Sequence, residues 1–258
     1  MNGVQSFQRF PLLVVVVSFF AMWLSAQIGI FLRKRKPNLG EDTRRDLDVV
    51  VTATLTLLGL IIGFTFSMAI TRYDQRKVYE EAEANAIGTE YVRADLLPPA
   101  DAARVRLLLK EYLDQRILFY KTRGEAAIQQ IEDKTAQLQT ELWSTVEIPA
   151  AKQPTPVLAL VLSGMNDVLN SQGYTQSAWW NKIPIAAWCL MILIALFANV
   201  GIGYDSRGAK PGFVQFLVLP LILAIAFFLI ADIDSPRSGI IRVLPQNLLS
   251  LSQSLNGH

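Results

Sequence analysis

Four long apolar runs without a charged residue alternate with polar stretches along this chain. Each run spans about 20 residues or more, which is the length that an α-helix needs to cross a hydrocarbon core of roughly 30 Å. This pattern predicts an all-α protein with four transmembrane helices. The four runs are Pro11–Leu32, Val49–Thr71, Ile183–Tyr204 and Gly212–Ala231.

The first run has a competing interpretation as the apolar core of a cleaved signal peptide. It is longer than a typical signal-peptide core and leads directly into Arg33-Lys34-Arg35-Lys36, with no small-residue cleavage motif. We therefore interpret the run as a membrane span and the four basic residues as a headgroup or topology anchor.

Residues 73–182, between the second and third runs, are too polar to enter a bilayer and have the pattern of a helical extramembrane domain. The helix of the second run should continue to Leu96, because no helix breaker occurs before Pro98 and Pro99. The second span and this extension are therefore predicted to form one helix.

Two further helices and a linker are predicted in the same domain. A helix over Ala100–Thr122 places apolar side chains on one stripe, and a more polar helix follows over Glu125–Val146. The stretch Ile148–Pro156 is interpreted as a linker, after which an apolar pattern over Val157–Asn170 ends at Gly173. The stripe consists of Val105, Leu108, Leu109, Tyr112, Leu113, Ile117 and Tyr120.

These elements predict four regions along the chain. They are 1–72 with the first two spans and a short basic loop, 73–182 as the helical extramembrane domain, 183–232 with the last two spans, and 233–258 as a C-terminal tail.

The second span is the least lipid-like of the four, because its small and polar residues share one face. At about 100° per residue, that face holds Thr52, Thr56, Gly59, Gly63 and Ser67. One interpretation is a helix-packing groove, because a small residue at each end of a four-residue step lets two backbones approach closely.

The other interpretation places copies of this helix around a common axis. Gly59 and Gly63 would then contact neighbouring copies, and Thr56, Leu60 and Phe64 would face inward as stacked rings. Apolar rings of this kind can gate ion flow by excluding water. The residues alone leave both interpretations open.

Several charged residues lie near the predicted helix ends. Arg72 and Arg76 are one turn apart where the second span ends, either as a ring at a pore mouth that attracts anions or as side chains that reach lipid headgroups. Asp232, Asp234 and Arg237 follow the fourth span, where caps and ion pairs at a helix end are favoured over ion binding.

Two further features of the third span carry predictions. Asn199 needs a hydrogen-bond partner in lipid, and a bond to another helix is expected. Trp179 and Trp180 precede the span where an aromatic belt would anchor it.

The composition argues against several classes of function. Cys189 is the only cysteine and His258 the only histidine, so no disulfide and no Cys–His metal centre is predicted. No phosphate-binding loop or familiar catalytic motif occurs, so neither a cofactor nor enzyme activity is predicted. A net charge of +2 does not indicate a nucleic-acid partner. Lys and Arg are divided almost evenly between the two sides of the membrane, which leaves the orientation open.

The end of the second span resembles the pore-lining helix of bestrophin ion channels. Gly63-Phe64, Thr71-Arg72 and Tyr73 occur here in the order found in that family. The resemblance implies a neck of three rings at Thr56, Leu60 and Phe64, of which Thr56 departs from the apolar pattern. Residues 233–239 resemble the segment after the last bestrophin helix but lack its Phe, and calcium gating is not implied.

A closer resemblance, covering nearly the whole chain, is to the bestrophin-like domain family of bacterial membrane proteins. It rests on four segments, which are Arg72-Tyr73-Asp74-Gln75-Arg76, Glu83-Ala84-Asn85-Ala86, Leu97-Pro98 and Asp232-Ile233-Asp234-Ser235-Pro236-Arg237.

Together these resemblances imply a homo-pentameric ion channel that crosses the bacterial plasma membrane several times. Its expected partners are the lipid bilayer, inorganic ions and further copies of the chain, and Asp232 and Asp234 are candidate ion contacts. The alternative is a non-conducting membrane-anchored scaffold or sensor. In that case residues 73–182 would recruit a partner, and the second span would only hold the oligomer together.

Overall fold

Helices account for all regular secondary structure in the computed structural model, which describes residues 11–35, 40–206, 214–237 and 239–257. The predicted all-α class is therefore confirmed for the described residues. Some residues used above lie outside these ranges, namely Lys36, Gly212, Ser238 and His258.

The first compact unit comprises the described parts of residues 1–71 and 182–241 and contains the membrane helices. Four of the described helices are long and apolar enough to cross a membrane, which confirms the predicted spans. They are α1 (Pro11–Arg35), the apolar part of α2 (Glu41–Arg93), α6 (Ile185–Asp205) and α7 (Leu219–Asp234), with one π-helical turn before α7 (Val214–Val218).

Helices α1 and α6 pack backbone to backbone through two glycines. A Cβ atom at Gly29 would collide with the carbonyl oxygen of Val200, and one at Gly203 would collide with that of Ala26. In a membrane the hydrophobic effect does not drive helices together, so close packing usually depends on small residues at the contact. These glycines therefore fix the approach of the two spans.

The second compact unit comprises residues 72–181 and the described part of 242–258. The apolar stripe predicted on its second helix is buried at every position, so that prediction is confirmed. The unit contains the polar part of α2, a 3₁₀ turn (Ala94–Leu96), α3 (Pro99–Lys121), α4 (Glu125–Lys152), α5 (Pro156–Trp180) and α8 (Gln246–Asn256).

The predicted continuation of the second span is confirmed, because α2 runs without a break from Glu41 to Arg93. The α-helix ends at Arg93, five residues before the two prolines, and Pro99 occupies the first turn of α3, where its missing N–H leaves no helix hydrogen bond unmade. The four region boundaries given by the sequence stay predictions.

Two local predictions in this unit are wrong. The expected linker at 148–156 is largely helical, because α4 continues through Pro149 to Lys152. Pro149 and Ala150 are buried, and the N–H of Gln153 still donates to the carbonyl oxygen of Pro149 at 3.0 Å. Gly173 likewise does not end α5, which continues to Trp180 and buries Thr175 after the glycine. In both places burial in the core outweighs the local breaker.

The expected belt position of Trp179 is also wrong. Its ring is buried in the second unit, 5.0 Å from the ring of Phe119 and 5.3 Å from that of Tyr120, measured between centroids. Only Trp180 is exposed. Trp179 therefore belongs to an aromatic cluster of the helical core.

Candidate functional site

One face of the membrane part of α2 packs within the chain. Leu58, Thr65 and Ala69 are buried, and they lie four and seven residues apart on the same side of the helix. Thr65 does not need a partner elsewhere, because its hydroxyl donates to the carbonyl oxygen of Ile61 at 2.8 Å. Half-buried Val51 continues this packed face at the start of the span.

The small and polar face of α2 is uncovered in the single chain. Thr52, Thr56, Gly59, Gly63 and Ser67 are all exposed. A Cβ atom added at Gly59 or Gly63 would meet no atom within 4 Å. At about 100° per residue, this face is centred roughly 130° from the packed face. Among the described residues, the face that distinguishes the second span is therefore left open.

The two apolar residues predicted to form a neck also lie away from the packed face. Leu60 is 54% exposed and Phe64 is 64% exposed, whereas Leu58 is 1% exposed. The hydroxyl of Thr56 donates to the carbonyl oxygen of Thr52 at 2.9 Å, so it is satisfied within the helix. Thr56, Leu60 and Phe64 are thus available for contacts outside the chain.

Arg76 is buried, and it closes the end of another helix. Its Nε donates to the carbonyl oxygen of Ala178 at 3.2 Å, and a terminal nitrogen donates to that of Asn181 at 3.4 Å. A cation at the last carbonyls of a helix complements their partial negative charge. Arg72, one turn earlier, is half-buried. The place of both residues at a pore mouth stays a prediction.

A buried ion pair, missed by the sequence analysis, lies in the second unit. Arg116 and Glu83 have fully buried side chains, and Nε of Arg116 donates to a Glu83 oxygen. The hydroxyl of Thr175 donates to the other oxygen at 3.1 Å. Burial lowers the pKa of Arg116, but the charge and hydrogen bond of Glu83, together with Tyr112 and Tyr120, outweigh this effect, so the net pKa is raised. The sequence did contain a signal for this pair, because Arg116 is a charged residue in the middle of the apolar stripe of α3.

Glu90 is another of the buried carboxyl groups on α2, and it lacks a hydrogen-bonded partner like that of Glu83 among the described residues. Both oxygens lack a hydrogen bond among the residues that the structure describes. The group lies against Gly164 of α5, where any side chain would collide with it. Burial raises the pKa of Glu90 to about 8, with Arg93 opposing the rise and Asp167 adding to it.

Asp232 and Asp234 bind backbone amides rather than each other. The carboxylate of Asp232 accepts from the N–H groups of Ile240 and Ile241, each at 2.8 Å. The carboxylate of Asp234 accepts from the N–H of Ile183 at 3.1 and 3.2 Å. Both side chains are buried at the end of α7. Their role as ion contacts stays a prediction.

The expected interhelical bond of Asn199 is not made by its amide nitrogen. That nitrogen donates to the carbonyl oxygen of Ala195 in the same helix at 2.8 Å. An amide four residues after a carbonyl can satisfy itself in this way without help from a neighbouring span. Asn199 is nevertheless fully buried in the first unit.

Comparison with known proteins gives a consistent result. The family description Bestrophin-like domain matches residues 13–248. No curated protein matches. A crystal structure of a bacterial bestrophin homologue from Klebsiella pneumoniae, solved by zinc phasing, superposes with a TM-score of 0.62 at 12% identity, covering 94% of this chain and 97% of that one. A point variant of a bacterial bestrophin homologue from the same organism gives a TM-score of 0.63 at 12% identity, with 94% and 98% covered.

Proposed function

Because the chain belongs to the Bestrophin-like domain family, we propose that it is an oligomeric ion channel of bestrophin type whose pore is lined by α2. The observation that carries this proposal is the uncovered face of α2. A transmembrane helix that buries one side and leaves glycines, threonines and a serine on the other is suited to pack against copies of itself.

The proposed assembly is a homo-pentamer in the bacterial plasma membrane, in keeping with the bestrophin fold. Each chain supplies one α2, and a single helix cannot enclose a pore. In the ring, Gly59 and Gly63 contact the neighbouring subunits, and Thr56, Leu60 and Phe64 face the axis. Lipids surround the other spans, and inorganic ions pass along the axis.

The neck is the proposed gate. Leu60 and Phe64 are one turn apart, so five copies make two stacked apolar rings. An ion must lose water to pass a narrow apolar ring, so the rings keep conductance low until they widen. Thr56 adds a third, more polar ring at one end.

The charged residues take supporting roles in this proposal. Arg72 contributes positive charge at the pore mouth, and Arg76 adds positive charge from a buried position fixed by the carbonyl groups of α5. Asp232 and Asp234 hold the chain at the ends of α6 and α7 through backbone amides, which supports a structural role over direct ion contact.

The test is to replace Leu60 and Phe64 together by Ala and to record currents from the purified protein in planar bilayers. We expect conductance to rise because the smaller rings admit water. Thermal stability in detergent should change little, because both side chains make few contacts within the chain.

Leu58→Ala is the matched control. It truncates a buried leucine two residues away, so it should lower the free energy of unfolding by about 2–5 kcal/mol without raising the current. If the double variant behaves like this control, losing stability and gaining no current, Leu60 and Phe64 are core residues and the channel proposal fails.

Native mass spectrometry of the purified protein tests the assembly separately. Five subunits support the proposal, and a population of monomers alone contradicts it. A dimer would instead favour a non-conducting scaffold in which α2 only joins two copies.

A further inference from the structure

An apolar cleft of about 140 Å³ lies among α1, α6 and α7, and the proposed channel does not use it. Its floor is formed by buried residues and its rim by the exposed Val17 and Ile192. A dry apolar cavity of about 150 Å³ is large enough to bind benzene, so this cleft can hold several carbon atoms of a chain. The floor residues are Val14, Met22, Ala195, Phe227 and Ala231.

Small side chains create the space. Ala21, Ala195 and Ala231 come from three different helices, and all of them line the cleft. A larger residue at any of these positions would fill part of the volume. The cleft is therefore a property of specific residues rather than a gap between loosely packed helices.

One hydrogen-bond donor in the lining is unused. Trp188 is 7% exposed, and its indole nitrogen has no partner among the described residues. The hydroxyl of Ser18, the other polar side chain of the lining, already donates to the carbonyl oxygen of Val14. A buried indole N–H usually has a partner, because leaving it unpaired in an apolar medium is costly.

We propose that the cleft binds one acyl chain of an ester-linked membrane lipid, whose ester carbonyl oxygen accepts a hydrogen bond from Trp188. The rim continues onto the lipid-facing surface through exposed Phe20 and Leu193, so a lipid reaches the cleft without leaving the bilayer. A membrane lipid brings both an apolar chain and a carbonyl acceptor to this place.

The position of Trp188 along its helix supports the same occupant. It lies one turn inside the start of α6 at Ile185, near the end of the span. Tryptophan is enriched at this level of a membrane, where polar headgroups meet hydrocarbon. The site is independent of conduction, so it would exist in a channel and in a scaffold alike.

The test measures contact between Trp188 and lipid chains. The full protein is reconstituted in phosphatidylcholine with dibrominated acyl chains, because bromine quenches indole fluorescence on contact. The difference between the wild-type protein and Trp188→Phe isolates the signal of Trp188 from those of the other tryptophans. We expect Trp188 to be strongly quenched.

Filling the cleft should protect Trp188 from this quenching. Ala195→Leu fills the floor, and Ala21→Leu fills it from a half-buried position that is easier to accommodate. Each is compared with the same variant carrying Trp188→Phe. Ala186→Leu, an exposed position on α6 outside the lining, is the matched control and should leave the quenching unchanged.

The hydrogen bond is tested with ester-linked and ether-linked phosphatidylcholine in equal amounts. Native mass spectrometry should find the ester lipid retained about fivefold more often, in line with one buried hydrogen bond, and Trp188→Phe should abolish the preference. An unquenched Trp188 in the intact oligomer would overturn the proposal. Quenching that occurs only after the oligomer dissociates would also overturn it, because a second copy of the chain would then cover the cleft. The proposal would fail as well if Trp188 were quenched in Ala195→Leu and Ala21→Leu as strongly as in the wild-type protein.

Discussion

The membrane part and the polar part of helix α2 differ in which of their polar residues are buried. In the membrane, residues 49–71 bury only one narrow face, which carries Leu58, Thr65 and Ala69, and most of their other polar and small residues are exposed. Outside it, residues 72–93 bury Arg76, Glu80, Glu83 and Glu90 in the core of the helical unit. A single helix thus leaves most of its polar residues exposed in one part and buries four charged residues in the other.

This difference separates assembly from stability along one helix. The exposed threonines and glycines add little packing to the described chain, and in the proposed oligomer they would be covered by neighbouring copies. The buried pair Glu83–Arg116 lies within the chain, and removing either partner leaves a charge in a medium of low dielectric constant. Substitutions in the polar part should therefore affect folding, and substitutions on the uncovered face should affect association.

The largest effect is expected at the buried ion pair of the polar part. Arg116→Met should lower the free energy of unfolding by about 3–5 kcal/mol, because Glu83 is left as an unpaired buried charge. Combining it with Glu83→Leu should recover much of that loss. Both can be measured by denaturant unfolding of the full chain in detergent.

The exposed pair Arg104–Glu141, at 3.3 Å, provides the control for this prediction. Arg104→Met should change stability by less than about 1 kcal/mol, as surface ion pairs do. Equal losses from Arg104→Met and Arg116→Met would mean that burial of the charge is not what matters.

A smaller effect is expected from the protonation of Glu90. Its pKa rises from 4.5 to about 8 on folding, so the folded state holds the proton more tightly than the unfolded state. Stability from this group is complete below pH 4.5 and is lost as the pH rises towards 8, by on the order of 2–3 kcal/mol. Glu90→Gln removes the charge, so the difference in melting temperature between variant and wild type should widen from pH 5 to pH 8. A constant difference would show that Glu90 is already ionised in the fold.

The smallest effect on chain stability is expected on the uncovered face. Gly63→Leu adds a side chain where nothing lies within 4 Å, so stability should change by no more than about 1 kcal/mol, the helix-propensity difference. The oligomer, measured by native mass spectrometry, should dissociate because neighbouring subunits can no longer approach. Gly203→Leu, where the backbone of α1 is in contact, should instead destabilise the chain. An intact oligomer of Gly63→Leu would remove the distinction between the two parts of α2.

The sequence was sufficient where the determining signal is local. Four apolar runs give the spans, and an uninterrupted stretch up to Pro98 gives the extension of α2 beyond the membrane, although α2 begins at Glu41, in the predicted loop before Val49. The uncovered face was also readable, since Gly59 and Gly63 share it with the threonines. Each of these depends only on neighbours a few residues away in sequence.

The sequence did not predict features that depend on contacts between residues far apart along the chain. Pro149 and Gly173 are local breakers, and packing against the core keeps both in helices. Arg76 has the pattern of a headgroup contact, but its partners Ala178 and Asn181 are about a hundred residues away along the chain. No periodicity in a single sequence can identify such a pair.

The C-terminal helix α8 has a consequence for the order in which the protein is made. Glu80 accepts from the N–H of Leu248 at 3.0 Å and from the side-chain amide of Asn247 at 2.6 Å, and Leu248 is fully buried. The ribosome delivers these residues only after α6 and α7 have been synthesised. Until then, the nascent helical unit exposes an apolar site and an uncapped carboxylate at Glu80. Premature termination before residue 246 would leave every span in the product while withholding the last piece of this core, and cellular quality control would meet such a chain as an incomplete one.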